Sequence, residues 1–315
     1  MSRRALLENA FASAVPAVTR GRSVRRRRLA GLVAFVVGAL PSAALAHGDL
    51  HEQIERVSRR IAARPEVASL YLRRAELHRD HGDWPAALAD VQRAAERGAP
   101  TAETALLRGL VFADAGSRAS ALDEFDASIA AAPTAAALTA RARVLVALDR
   151  TEEAAVDLAE AIERADMARP DLFLELSRLL ASPPMERLEE ALRCIELGIE
   201  RLGRLPAFAQ EAIVLDRCLG DYSSALKRVD VLLQTANRRE SGLVLRGDVL
   251  REAGRGAEAA AAYREALVAA NALPARARRA PMTVELRAAA DRALRELERE
   301  AARVPAPGSE RGGPD

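Results

Sequence analysis

The sequence predicts an all-α fold: a right-handed α-solenoid of about six helix-turn-helix repeats with terminal capping helices. Three observations predict it. Apolar residues recur at helical spacing, and no strand-like alternating runs stand out. Gly82-Asp83-Trp84, Gly116-Ser117-Arg118, Gly220-Asp221-Tyr222 and Gly254-Arg255-Gly256 each fall in the middle of one apolar pattern. The first two and the last two of these lie 34 residues apart, a period that denotes stacked helix pairs. The chain is half hydrophobic but only 3% aromatic, so its core is expected to be thin and built from Ala, Leu and Val. Such arrays gain stability by adding neighbours rather than by enlarging one core.

The elements follow in order. Residues 47–66 form an N-terminal half-repeat, with Ile54, Val57 and Ile61 on one helical face and Pro65 at its end. The array proper, residues 67–270, is read by numbering each unit so that its mid-unit glycine is position 15. Unit 1 then starts at Ala68, unit 2 at Ala102, unit 5 at Pro206 and unit 6 at Glu240. Position 8 is small in Ala75, Gly109 and Gly247, with Ile213 the exception. Position 20 is alanine throughout: Ala87, Ala121, Ala225 and Ala259. Position 24 is larger and apolar: Val91, Phe125, Val229 and Tyr263. Position 27 is Ala94, Ser128, Leu232 and Ala266. Two antiparallel helices approach closely only where one presents a small side chain and a larger one fills the space beside it. The glycine ends the first helix, where a left-handed residue satisfies orphan carbonyls. Unit 3 starts near Ala135 and is degenerate, with Asp149 in place of the glycine. Unit 4 runs from about Pro170 to Gly203, and Ser182-Pro183-Pro184 lengthens its turn because prolines cannot continue the first helix. Both irregularities predict a change of curvature near unit 4. Residues 271–304 supply a C-terminal capping helix with Leu286, Ala290, Ala293 and Leu297 on one stripe; a dimerising coiled coil is the alternative. Residues 305–315 are expected to be disordered.

These positions resemble the tetratricopeptide repeat family, whose pattern is small at 8, alanine at 20, aromatic or aliphatic at 24, small at 27 and proline at 32. Unit 2 (Gly109, Phe112, Ala121, Phe125, Pro133) and unit 6 (Gly247, Leu250, Ala259, Tyr263, Ala266) match best. The resemblance spans roughly 235 of the 315 residues. It implies a concave face lined by first-helix positions 2, 5, 9, 12 and 13, where a protein or peptide partner would bind. Here that face comprises Leu72, Glu76 and Arg79 of unit 1, Glu103, Leu106, Leu110 and Asp114 of unit 2, and Arg143 and Val146 of unit 3. Gln210, Val214 and Arg217 of unit 5 and Asp248 and Arg251 of unit 6 complete it. Its mixed charge and the aliphatic strip through units 1 to 3 suit an extended peptide or a partner helix. The carboxylate clamp of chaperone-binding members is missing, because the one lysine, Lys227, sits on a second helix.

The formal charge of +2 conceals an asymmetry. Residues 1–46 carry eight arginines and one acid, whereas the remainder has 39 basic and 44 acidic residues. The acidic body gives no argument for nucleic acid or anionic membrane. The leader reads as a signal peptide: Arg25 to Arg28, an apolar run from Leu29 to Leu40, Pro41, then Ala44-Leu45-Ala46 before His47. Twelve apolar residues are too few to span a bilayer. Cleavage near Ala46 would leave a periplasmic or secreted bacterial protein without an integral membrane span; an uncleaved anchor is the alternative. An oxidising compartment permits a disulfide, but Cys194 and Cys218 lie on different helices and are expected to stay as thiols.

Candidate chemistry is sparse. His47, His51, His78 and His81 form the only histidine cluster, and after cleavage the His47 α-amine and imidazole could chelate one metal together. His78-Arg79-Asp80 resembles a kinase catalytic loop only superficially, since no glycine-rich phosphate loop accompanies it. Gly254-Arg255-Gly256 is a turn, since no strand precedes it. The sequence therefore predicts a non-catalytic scaffold without a cofactor. A metal-binding or metal-delivery accessory protein is the alternative.

Overall fold

The computed structural model describes residues 42–167 and 169–303. The leader up to residue 41 and the tail from residue 304 lie outside the described residues. So do the side chains around the Ala46–His47 junction, although its backbone belongs to the first helix. The described chain is all-α and divides between Leu179 and Leu180 into two compact units.

In the first unit, α1 (Ser42–Ala63) precedes three helix pairs. These are α2 (Ala68–His81) with α3 (Trp84–Glu96), α4 (Thr101–Asp114) with α5 (Arg118–Ala131), and α6 (Ala135–Val146) with α7 (Thr151–Arg164). The division falls within α8 (Pro170–Ala181). The second unit holds α9 (Leu188–Leu202) and the pairs α10 (Pro206–Leu219) with α11 (Tyr222–Thr235) and α12 (Glu240–Glu252) with α13 (Gly256–Ala272). It ends with the short α14 (Ala275–Arg278), which the sequence pattern did not reveal, and α15 (Pro281–Arg303).

One hydrogen bond closes each regular turn. The amide at position 16 donates to the carbonyl at position 11, from Asp83 to His78, Ser117 to Phe112, Arg150 to Leu145, Asp221 to Asp216 and Arg255 to Leu250, all at 2.8–2.9 Å. This bond requires a left-handed residue at position 15. Gly82, Gly116, Gly220 and Gly254 take it at φ between 74° and 83°, and Asp149 takes the same region at φ 59°. Aspartate tolerates that conformation better than most non-glycine residues, so the missing glycine of unit 3 leaves its turn intact. In unit 4 the corresponding bond runs from the Arg187 amide to the Leu180 carbonyl at 2.8 Å, across two extra residues, with Glu186 left-handed at φ 49°. The turns hand the chain to a second helix whose first amides are capped by Asp83 and Asp221, through bonds from Ala86 and Ser224.

The repeat positions are the core. Position 20 is alanine in all six units (Ala87, Ala121, Ala154, Ala191, Ala225, Ala259) and each is fully buried. Position 24 varies from valine to tyrosine, and the opposite position 8 compensates. Where position 24 is Phe125 or Tyr263, position 8 is glycine; where it is Val91 or Val229, position 8 is Ala75 or Ile213. A Cβ at Gly109 would lie 2.6 Å from the Phe125 ring, and one at Gly247 would lie 2.6 Å from the Tyr263 ring. In units 1, 2 and 6 side-chain volume is thus exchanged across the helix pair, and Ile213 opposite Val229 in unit 5 is the exception.

Charged pairs add a second periodic feature that the sequence reading missed. In units 1, 2 and 3 an arginine at position 7 reaches an acid at position 23. Arg74 donates to Asp90 at 2.6 and 2.8 Å, Arg108 to Glu124 at 3.0 and 3.1 Å, and Arg141 to Asp157 at 2.8 and 2.7 Å. Asp90 and Asp157 are buried. The pairing raises the pKa of Arg74 and Arg141, chiefly through hydrogen bonds to Asp90 and Asp157, against the cost of burial.

Both ends of the described chain are closed by their own helices. Val57 and Ile61 of α1 are buried with Leu70, Tyr71, Leu77 and Ala94. The Tyr71 hydroxyl and the Arg97 guanidinium both donate to the Pro65 carbonyl, at 3.0 and 2.6 Å, and Arg97 lies 4.4 Å from the Tyr71 ring centre. At the other end Ala290, Ala293 and Leu297 of α15 are buried with Tyr263 and Leu250. That stripe packs against the chain itself.

Candidate interaction surface

The first helices of units 1 to 3 carry two adjoining pockets. A pocket of about 440 Å³ lies between α2 and α4, lined by Leu72, Arg73, Glu76, Arg79, Asp80, Glu103, Leu106, Leu107 and Leu110. A second, of about 570 Å³, continues between α4 and α6 and reaches Arg169. Its lining includes Arg79, Leu110, Asp114, Arg118 and Arg143, with Ala113, Ala136, Thr139, Ala140 and Ala147 giving the space. Arg79 and Leu110 belong to both, so the two pockets form one trough across three repeats.

Helix spacing explains the trough. Leu106 and Leu110 are one turn apart on α4 and lie on one face. Their inner sides pack on the cluster of Ala121, Phe125 and Val144, and their outer sides stay half-exposed. Leu72 does the same on α2 against Ala75, Val91 and Leu107. Eight of the nine sequence-predicted residues in these units line the trough; Val146 is exposed at the end of α6 instead. The residues overlooked include Arg73, Leu107, Arg118 and Arg169 and the small ones of unit 3. Ala136, Thr139 and Ala147 occupy positions 2, 5 and 13, the spacing that selected the others, but a small side chain gives no sign that it clears room.

The charged residues of the trough are largely committed to one another. Arg73 donates to Glu76 at 2.8 Å, and Arg169 to Asp171 at 2.6 Å. Arg143 holds Glu175 with two bonds of 3.0 Å, which raises the Arg143 pKa. Arg79 reaches Asp114 of the next repeat at 3.3 Å, an ion pair whose geometry falls short of a hydrogen bond.

The second unit repeats this last device. Arg217 holds Glu252, again position 12 to position 13 of the next repeat, at 2.9 and 2.7 Å. Burial opposes the charge on Arg217, but the Glu252 bonds overcome it and leave the pKa raised. Arg251 reaches Glu296 of α15 at 3.4 Å. Asp248 accepts a 2.6 Å bond from the Tyr263 hydroxyl; burial raises the carboxyl pKa against that bond and against Arg217. Three of the five sequence-predicted residues here are therefore engaged within the fold. Gln210 is exposed and Val214 half-buried on α10.

Three of the four histidines have described side chains. His51 sits exposed on α1, 3.7 Å from Glu55. His78 is half-buried, 3.9 Å from both Asp83 and Asp90. Burial lowers its pKa despite those carboxylates, with Arg74 and His81 acting in the same direction as burial. His81 is exposed at the end of α2, and the His47 side chain lies outside the described residues. Among the described residues no three His, Cys, Asp or Glu side chains are grouped to hold a metal ion. Cys194 and Cys218 are thiols, and burial pushes the Cys194 pKa up to about 12. No described helix is long and apolar enough to cross a membrane.

No protein-family model and no curated protein matches the sequence. Solved structures do. The C-terminal part of a TPR repeat-containing protein from Cytophaga hutchinsonii is 13% identical, with a TM-score of 0.53 over 72% of this chain and 95% of that one. PilF of Pseudomonas aeruginosa is 18% identical, with a TM-score of 0.47 over 76% and 99%. A tetratricopeptide repeat protein from Parabacteroides merdae is 16% identical, with a TM-score of 0.43 over 79% and 95%. At such identities the likeness is one of architecture, and the chain has the helix-pair repeat fold of tetratricopeptide repeat proteins.

Proposed function

We propose that the protein is a non-catalytic interaction scaffold that holds a segment of a protein or peptide partner in the trough of α2, α4 and α6. One observation carries this reading: two adjoining pockets share Arg79 and Leu110 and run across three repeats, with leucines as the floor in units 1 and 2 and small residues in unit 3. Half-exposed leucines in a groove with a polar rim are what a peptide or helix uses as anchor sites. The leader supports export, with cleavage near Ala46 and action in the periplasm or outside the cell.

The test is capture of partners from an envelope extract by the mature chain. Leu106→Asp with Leu110→Asp is expected to abolish capture, because two carboxylates would be desolvated by any apolar ligand. Ala136→Arg, at an exposed position of α6, is expected to do the same by filling the trough without disturbing the core. Undiminished capture by both variants would rule the trough out.

A further inference from the structure

The lining of the trough points to the chemistry of its occupant, given that the trough is the binding site as argued above. Of its charged residues, Arg73, Glu76, Arg79, Asp80, Asp114, Arg143 and Arg169 are each within ion-pair distance of a neighbour. A partner's charge placed against these groups would have to displace an existing ion pair, so it would gain little. Two lining residues are exceptions. Glu103 and Arg118 have no ion-pair partner among the described residues. Glu103 lies in the first turn of α4, and Arg118 opens α5 across the turn that follows the other end of α4. The helix is 14 residues long, about 21 Å at 1.5 Å per residue. Between them the floor is Leu106, Leu110 and Ala113.

We propose that the trough takes a charge-poor aliphatic segment of a partner protein, oriented by a cation that meets Glu103 and an anion that meets Arg118. The apolar body supplies the binding energy through burial on the leucines. The two end charges choose between the two directions in which the segment could lie, because the reversed placement sets like charge against like at both ends.

Four synthetic peptides of about 14 residues, long enough to match α4, test this by fluorescence anisotropy on the full mature chain. One is leucine/alanine-rich with lysine near one end and glutamate near the other; the second has glutamate at both ends; the third is glutamate-rich; the fourth is lysine-rich. The first is expected to bind tightest, and its Kd is expected to change less than about threefold between roughly 50 and 500 mM NaCl, since few unscreened charges take part. Glu103→Lys, an exposed substitution that leaves the core untouched, is expected to weaken the first peptide and strengthen the second by about threefold or more each, one surface ion pair's worth. Tighter binding of the glutamate-rich or lysine-rich peptide overturns the proposal, as does no binding by any of the four, or no response to Glu103→Lys. Failure of the underlying site is distinguishable. If the first peptide binds as well to the Leu106→Asp, Leu110→Asp and Ala136→Arg variants, the trough is not its site. If those variants lose a preferred charged peptide, the trough stands and only the aliphatic occupant falls.

Discussion

Gly109→Val is expected to destabilise the first unit by about 3 kcal/mol, seen as a fall of roughly 10 °C in melting temperature. The first added carbon would lie 2.6 Å from Phe125 Cε1, and Phe125 is fully buried. Valine is the informative choice, because alanine's helix propensity would offset about 1 kcal/mol of the clash. Phe125→Ala alone is expected to cost about 3–5 kcal/mol by opening a cavity. The double variant is expected to lose clearly less than the sum, since each change makes room for the other. Additive losses, or an unchanged melting temperature in Gly109→Val, would contradict the exchange of volume between positions 8 and 24. Chemical denaturation followed by circular dichroism measures all three, and Gly247 with Tyr263 provides an independent copy of the experiment.

Asp90→Ala is expected to cost about 3 kcal/mol, because removing one partner of a buried pair strands the other charge. Asp90 is 1% exposed and accepts three bonds, two from Arg74 and one from Arg93 at 2.8 Å. Arg74 is itself only 17% exposed and would keep a 2.9 Å bond to Ser58 but no carboxylate. Replacing both members by apolar residues, Arg74→Met with Asp90→Leu, is expected to recover most of that loss. Arg150→Ala is the control: its bidentate bond to Glu153 joins two exposed side chains, and no measurable change is expected. A loss in Arg150→Ala comparable to that in Asp90→Ala would show that burial is not what makes the position 7 to position 23 pairs matter.

Much of this architecture was legible in the sequence because its core is made by position rather than by size. A fully buried alanine at position 20 recurs in all six units, and such a residue is recognisable from spacing alone. The slip at Ser182-Pro183-Pro184 was legible too, and the division into two units falls just before it. The charged pairs were not read. Arg74, Arg108 and Arg141 with Asp90, Glu124 and Asp157 recur with nearly the repeat period, but a separation of 16 residues puts the partners on different helices. Only packing shows that these are partners and not solvated surface. The binding face was read in part for the same reason. Three of its leucines and several of its charges were found from helix positions, but Arg118 was not, and which charges remain available depends on side-chain geometry. Arg217 with Glu252 and Asp248 with Tyr263 are spent inside the fold, whereas Glu103 and Arg118 are not.

Site-specific photo-crosslinking tests the central claim most directly. A photoreactive phenylalanine analogue is placed at Leu106 and, as a control, at Val156, a 66%-exposed residue that lines a different pocket of about 300 Å³ with Asp126, Arg141 and Asp157. A partner adduct is expected from position 106 that the Ala136→Arg substitution eliminates, and none from position 156. Adducts from position 156 alone, or adducts from 106 that persist with Ala136→Arg, would contradict it.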